Sequence, residues 1–310
     1  SSDSWNNSFT LISDDVDEEW EYVIQQRLDR LGDVLYQNKP FFNVTKIHSD
    51  SFQQVASAGG DRYPDVENEI ETTLTKGTLV VNYFGHGGED GLSNEFIIDK
   101  EMATSLFHPG KFPLFITSTC EFARFDNPDR ITAGELLFLN PTGGAIGLIS
   151  TTRQIYVTNG INYNDIISKY LFSYGSNNYP TVAEALRLAK SEFTDVNQKR
   201  IISFLGDPAL KLHIPRPNVI LTHKDGISLD DLSNNDLQIR ALDKVNFSGK
   251  LLNENGQYDT NFNGIVNVKV FDKELQRTTL GNDGHEKMSF KTIGNEIFNG
   301  IASVNDGQFD

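Results

Sequence analysis

Through the first two-thirds of the chain, short apolar runs alternate with segments whose apolar positions recur every three or four residues. Residues 9–13, Phe-Thr-Leu-Ile-Ser, predict a short buried strand. The acidic turn 14–19 follows, and its carboxylates suit the positive end of the helix that begins there. That helix is predicted over residues 19–36, with Trp20, Val23, Ile24, Leu28, Leu31 and Leu35 on one stripe. Further strands are predicted over 42–47, 78–84, 113–119 and 144–150, and helices over 65–76, 132–139, 164–174 and 182–193. Near-continuous apolar strands separated by helices predict an α/β fold, a mostly parallel sheet covered by helices on both faces.

A last strand is predicted over 209–214, and Pro215-Arg216-Pro217 then breaks the pattern. Beyond it, residues 237–242, 244–249, 264–271 and 288–290 mix apolar and polar positions between Asn, Asp and Gly turns. That is the pattern of antiparallel strands in a small β-sandwich. Two domains are therefore expected: an α/β domain over 1–214 and a β-sandwich over 215–310, the latter reading as cut short at its end. A length of 310 residues suits two domains of about 150 residues each.

Composition narrows the picture further. With 38% hydrophobic and 11% aromatic residues, the chain is no collagen, coiled coil or disordered tract. Acidic residues number 43 against 27 basic ones, a net charge of −16, which argues against nucleic-acid binding and against docking on an anionic leaflet. No apolar run approaches the ~20 residues needed to span a bilayer. The polar start Ser1-Ser2-Asp3-Ser4-Trp5 has no initiating Met and reads as a mature form or an excised piece. One cysteine, Cys120, excludes intrachain disulfides and a Cys-cluster zinc site, and leaves the compartment open.

His86 and Cys120 each fall just past the C-terminal end of a strongly predicted strand, where open parallel sheets bind their ligands. On adjacent parallel strands the two would be neighbours. An imidazole beside a thiol lowers its pKa and carries its proton. Gly87 and Gly88 let backbone approach a substrate closely, and the N–H groups of Gly87 and Cys120 can face one developing oxyanion. Taken singly, the cysteine also reads as a small buried hydrophobe and the histidine as a turn residue. Gly85-His86-Gly87-Gly88 lacks the Lys-Ser/Thr ending of a phosphate loop.

Three motifs point to a family. Asn82-Tyr83-Phe84-Gly85-His86-Gly87-Gly88 resembles the histidine motif of gingipain-type cysteine peptidases. The run Phe115-Ile116-Thr117-Ser118-Thr119-Cys120 resembles their nucleophile strand, and Leu205-Gly206-Asp207-Pro208-Ala209-Leu210 their closing strand. The runs 120–126, 133–137, 150–153 and 59–64 are more similar to the sortase branch of that family, which serves type IX secretion.

The resemblance implies a caspase-like fold followed by an Ig-like β-sandwich, with His86 as general base, Cys120 as nucleophile and the Gly87 and Cys120 amides as oxyanion hole. It also implies an acidic residue that orients the histidine. Asp15, or Asp14 beside it, fits by its place after the first strand, and Asp17 fits a substrate pocket. The same carboxylates also serve as helix caps.

The implied activity is removal of the C-terminal sorting domain of secreted cargo at the outer membrane surface, beside the type IX secretion components. The acyl group would pass to water or to an amine of lipopolysaccharide. A secreted gingipain-like endopeptidase and a non-catalytic binding protein are the rival readings. The family's catalytic regions pair two such subdomains, and this length accommodates the second. No cofactor is expected: Asp259, Asn261 and Asn263 alternate as in a calcium loop, but the closing Glu is missing and a hairpin turn fits better. His48, His108, His213, His223 and His285 show no ligand spacing and are expected on surfaces or in turns; Glu89 and Asp90 are expected in a solvated loop near His86.

Overall fold

In the computed structural model, strand β1 (Ser8–Ser13) leads through a single 3₁₀ turn, Glu19–Glu21, into helix α1 (Tyr22–Asn38). Strand β2 (Asn43–His48), helix α2 (Pro64–Lys76) and strand β3 (Val80–Phe84) follow, then β4 (Leu114–Ser118), α3 (Ala133–Leu139) and β5 (Gly147–Thr151). Helices α4 (Val157–Leu171) and α5 (Val182–Glu192) precede the edge strand β6 (Ile202–Leu205). The structure describes residues 5–216, 218–240, 242–253 and 255–310. The polar start 1–4, Pro217 of the breaker and position 241 of the strand expected over 237–242 lie outside them.

The strands form one six-stranded sheet in the order β6-β5-β4-β3-β1-β2, parallel except for β6. Alternate residues face opposite layers, as the pleat requires. Phe9, Leu11, Val80, Phe84, Leu114 and Ile116 join a core with α1, α4 and α5. Ile12, Val81, Tyr83 and Phe115 join a second core with α2 and α3. Burial on both faces is what made these strands read as continuous apolar runs.

Several expectations need correction. Trp20 belongs to the apolar stripe by spacing, yet it is 52% exposed, because it sits in the 3₁₀ turn before α1 rather than on the helix. Helix α4 starts at Val157, seven positions before the expected residue 164. Residues 209–214 are not a strand; the antiparallel partner of β5 is the stretch just before them, Ile202–Leu205. Leu212 and Ile214 are still buried, which accounts for their apolar character. Among the described residues, no helix is long and apolar enough to cross a membrane.

The chain divides into two compact units, one made of Trp5–Ile214 together with Glu274–Ile293. The segment expected in the trailing domain therefore returns to the first unit as a hairpin, Leu275–Thr278 paired with Ser289–Thr292. Its tip is held by Asp50, whose carboxylate accepts from the N–H groups of Gly281 and Asn282 at 3.1 and 2.9 Å. Asn282 Nδ2 donates to Phe52 O at 2.9 Å, and the Phe290 ring meets His48 edge-on with centroids 4.6 Å apart.

The other unit, Pro215–Lys273 with Gly294–Asp310, is antiparallel throughout. Phe247–Leu251 pairs with Val219–Lys224 and Gln308–Phe309, and Gly264–Phe271 pairs with Glu296–Val304. Leu251, Val266, Val304 and Phe309 form its small core. The described part of 237–242 is not a strand. Asp259 Oδ1 accepts from the N–H of Asn261, and Asn263 Oδ1 from that of Asp306, so this acidic loop is used as a turn.

Candidate active site

Strands β3 and β4 are parallel neighbours with Phe84 opposite Ser118. His86 and Cys120 each stand two residues beyond that pair, which brings their turns side by side at the C-terminal edge of the sheet. The N–H of Gly85 donates to Ser118 O at 3.3 Å and ties the two turns together. A Cβ on Gly87 would lie 2.6 Å from Thr119 Oγ1 and 2.9 Å from Gly91 O, so only glycine lets the chain pass there. Gly88 faces open space, with nothing within 4 Å of an added Cβ. Glu121, directly after the cysteine, has a left-handed φ of 54°, a strained corner that presents Cys120 half-exposed.

The acidic partner of His86 is Glu21. His86 Nε2 donates to Glu21 Oε1 at 2.5 Å, and Glu21 Oε2 accepts from the N–H of Glu18 at 2.8 Å. The 3₁₀ turn before α1 swings Glu21 inward until it is 2% exposed. Asp15, expected in this role, is instead committed to Tyr63, whose hydroxyl donates to Asp15 Oδ2 at 2.8 Å. Asp14 Oδ2 accepts from the backbone N–H of His86 at 2.6 Å, and Tyr83 Oη donates to His86 O at 2.6 Å. The imidazole and its peptide are thus both held. The Trp20 ring meets the imidazole edge-on, centroids 6.2 Å apart.

Asp17 accepts from Asn94 Nδ2 at 2.8 Å, and its carbonyl accepts from His285 Nε2 at 2.8 Å. Glu89 is held by Arg124 and Asn127 rather than left in solvent, and Asp90 pairs with Lys100 and Arg130. His48 and His108, expected at the surface, are buried: His48 Nδ1 lies 2.7 Å from Ser13 Oγ, and His108 Nε2 accepts from the N–H of Gly144. His213 and His223 are exposed.

The electrostatics favour a charged imidazole. The hydrogen bond to Glu21 outweighs burial and, with the charges of Asp14, Glu21 and Asp17, lifts His86 to about 9. Burial pushes Glu21 up, but the His86 and Glu18 hydrogen bonds bring it below its ordinary value. Burial raises the Cys120 thiol, and a hydrogen bond from the backbone of Ile155 opposes that rise. The imidazole is held as imidazolium, and the thiol lies on the neighbouring turn.

The profile of peptidase family C25 matches residues 1–213. This chain belongs to peptidase family C25. The family is that of the gingipains, which are cysteine peptidases. The Arg-specific cysteine proteinase gingipain R has a similar fold: it superposes with a TM-score of 0.52 at 13% identity, over 95% of this chain and 68% of that one. A structure described only as a protease gives 0.53 at 14% identity, over 98% and 65%. The chain thus spans about two-thirds of the length of these two structures. Dimeric latent PorU from Porphyromonas gingivalis aligns over 97% of this chain and 39% of its own at 16% identity, with a TM-score of 0.28, too low to bear on the fold. No curated protein matches the sequence.

The acidic residue that the sequence reading missed, Glu21, lies only two positions past the acidic turn. Glu18 and Glu21 have the spacing of a capping box at a helix start, and that role accounts for Glu21 without any imidazole.

Proposed function

We propose that this C25 chain is a cysteine peptidase of the sortase type, which removes the C-terminal sorting domain of type IX secretion cargo at the outer membrane surface. The observation that carries the peptidase reading is the Glu21–His86 hydrogen bond, with Cys120 in matching register on the next strand. The sortase reading is supported by the runs 120–126, 133–137, 150–153 and 59–64, which resemble that branch more than secreted gingipains. The all-β unit is read as the Ig-like domain that follows the catalytic domain in this family.

In this reading Cys120 Sγ attacks the scissile carbonyl carbon. It attacks as the thiolate, its proton already resting on His86 Nδ1, since Nε2 is occupied by Glu21. Glu21 fixes the ring and stabilises the imidazolium, as the third member of a triad does. The N–H groups of Gly87 and Cys120 receive the oxyanion. The C–N bond breaks as His86 returns the proton to the departing amine, leaving a thioester on Cys120. Water, or an amine of lipopolysaccharide, then attacks the thioester, and the thiol is restored. Asp17 and Gly88 line the path of the substrate.

The test is incubation of the full chain with a cargo protein that carries its sorting domain, followed by mass analysis of the new C-terminus. Release by the native protein and none by Cys120→Ala is expected. Indiscriminate cleavage of peptides after Arg or Lys would favour the secreted endopeptidase. Binding of cargo without turnover, with Cys120 unreactive toward alkylation, would favour the non-catalytic reading.

A further inference from the structure

Glu89 takes no part in the chemistry above, yet it stands three residues past His86 with its side chain only 9% exposed. It opens the two-residue turn of a tight hairpin, Gly87–Gly88 paired with Gly91–Leu92, that grows directly from the histidine. Its carboxylate reaches across to the loop that follows Cys120. Arg124 Nη1 donates to Oε1 at 3.2 Å, Asn127 Nδ2 donates to both oxygens at 3.0 and 3.1 Å, and Arg130 Nε lies 3.5 Å from Oε2. The backbone makes the same connection: Glu89 O accepts from the N–H of Ala133 at 2.8 Å, where that loop enters α3.

Arg124 carries the tie back to the nucleophile. Its Nη1 also reaches Glu121 Oε1 at 3.3 Å, and Glu121 is the left-handed corner directly after Cys120. The start of the loop is fastened to β5, since the N–H of Ala123 donates to Thr151 O at 3.2 Å. Other ion pairs around the loop, Arg153 with Asp126 and Arg130 with Asp90, are exposed and contribute little to stability. Glu89 differs from them. A nearly enclosed carboxylate bonded by guanidinium and amide groups holds those groups in a fixed geometry, and losing its charge leaves them unmatched. With both oxygens engaged, it is not open to a basic side chain of a substrate.

We propose that Glu89 is a positioning residue for the oxyanion hole: it fixes the loop after Cys120 against the hairpin after His86, and so sets the spacing of the Gly87 and Cys120 N–H groups. Gly87 lies two residues before Glu89, and Cys120 four before Arg124, so few bonds separate each amide from the shared ion pair. The proposal deepens the peptidase reading and rests on it. Donors aimed at a developing oxyanion act in the transition state rather than on the bound substrate. A misplacement of about 1 Å can cost about 100-fold in rate.

The full chain is assayed on the cargo protein with its sorting domain, as the native protein, Glu89→Gln and Glu89→Asp, and Cys120 is alkylated with iodoacetamide in parallel. Alkylation uses the thiolate but develops no oxyanion, so it separates the two amides from the Cys–His pair. Glu89→Gln should lower kcat by roughly 10–100-fold, while KM and the alkylation rate stay within about twofold of native. Glu89→Asp, which keeps the charge, should recover part of the loss. Circular dichroism checks that Glu89→Gln is folded; if it is not, Asn127→Ala, which removes one donor to the same carboxylate, is read by the same criterion. Native kcat in Glu89→Gln would overturn the proposal and leave the peptidase reading standing. A fall in alkylation that matches the fall in kcat would also overturn it, because Glu89 would then support the whole site rather than the two amides. No cleavage by the native protein would overturn the peptidase reading, and the positioning role with it.

Discussion

The turns that carry His86 and Cys120 and the loop over residues 14–21 all lie beyond the C-terminal ends of parallel strands, but they are specified differently. The two turns are placed by strand register: Phe84 opposite Ser118 puts both side chains two residues past a paired position. The loop after β1 offers five acidic residues in the turn and a sixth in Glu21, and register does not choose among them. Tertiary contacts do. Asp14 takes a backbone N–H, Asp15 a tyrosine hydroxyl, Asp17 an asparagine amide, and Glu21 the imidazole. A strand fixes where its next residue goes, whereas a loop fixes its residues only through the partners it finds.

The contrast can be broken most directly at Cys120. Cys120→Ala should abolish cleavage of a cargo precursor while leaving the circular dichroism spectrum unchanged; residual turnover at the native rate would remove the thiol from the mechanism. Next in size, Glu21→Gln should lower kcat by roughly 10²–10⁴-fold, as expected for losing support of a general base. Asp15→Asn should lower it far less. Equal losses in the two variants would show that the loop's carboxylates act as one group rather than as separate partners.

A pH titration sharpens the same point. The imidazole of His86, followed by NMR, should titrate near 9 in the native protein and fall toward its ordinary 6.5 in Glu21→Gln. Because the folded value is raised, the associated stability is fully present below 6.5 and is lost as pH rises through about 9. The Tm advantage of the native protein over Glu21→Gln should therefore shrink over that window. An advantage that grows instead would mean His86 is not held as imidazolium. The smallest effect is expected at Gly87→Ala. Its methyl group would meet Thr119 Oγ1 and Gly91 O, costing about 1–3 kcal/mol in a thermal melt. No change would show that the hairpin after His86 yields freely.

Much of this was legible from residue pattern. The strands Val80–Phe84 and Leu114–Ser118 are buried along their whole length, so their apolar runs could not be mistaken. The edge strand Ile202–Leu205 is buried only at Ile202, and its weaker pattern lost out to the apolar stretch after it. Helix α4 begins among residues with poor helix propensity, Val157-Thr158-Asn159-Gly160. Gly160 is kept because a Cβ there would lie 2.9 Å from the Phe84 ring, a constraint that no local pattern carries. In the second unit the strand Val219–Lys224 alternates between exposed and half-buried positions over a small core, so its signal was too weak to read. Glu21 was passed over because a helix start gives a carboxylate an adequate explanation without any imidazole nearby.

The returning hairpin bears on how the molecule is made. The C25 profile ends at residue 213, but the compact unit it describes also includes Glu274–Ile293. Asp50 must wait for Gly281 and Asn282, partners more than 230 positions downstream. Synthesis from the N-terminus therefore delivers the sheet long before it delivers the piece that finishes it. Until residue 293 has emerged, the nascent chain has its nucleophile and its base but not its full set of tertiary contacts. A truncation at the profile boundary would freeze the molecule in that unfinished stage.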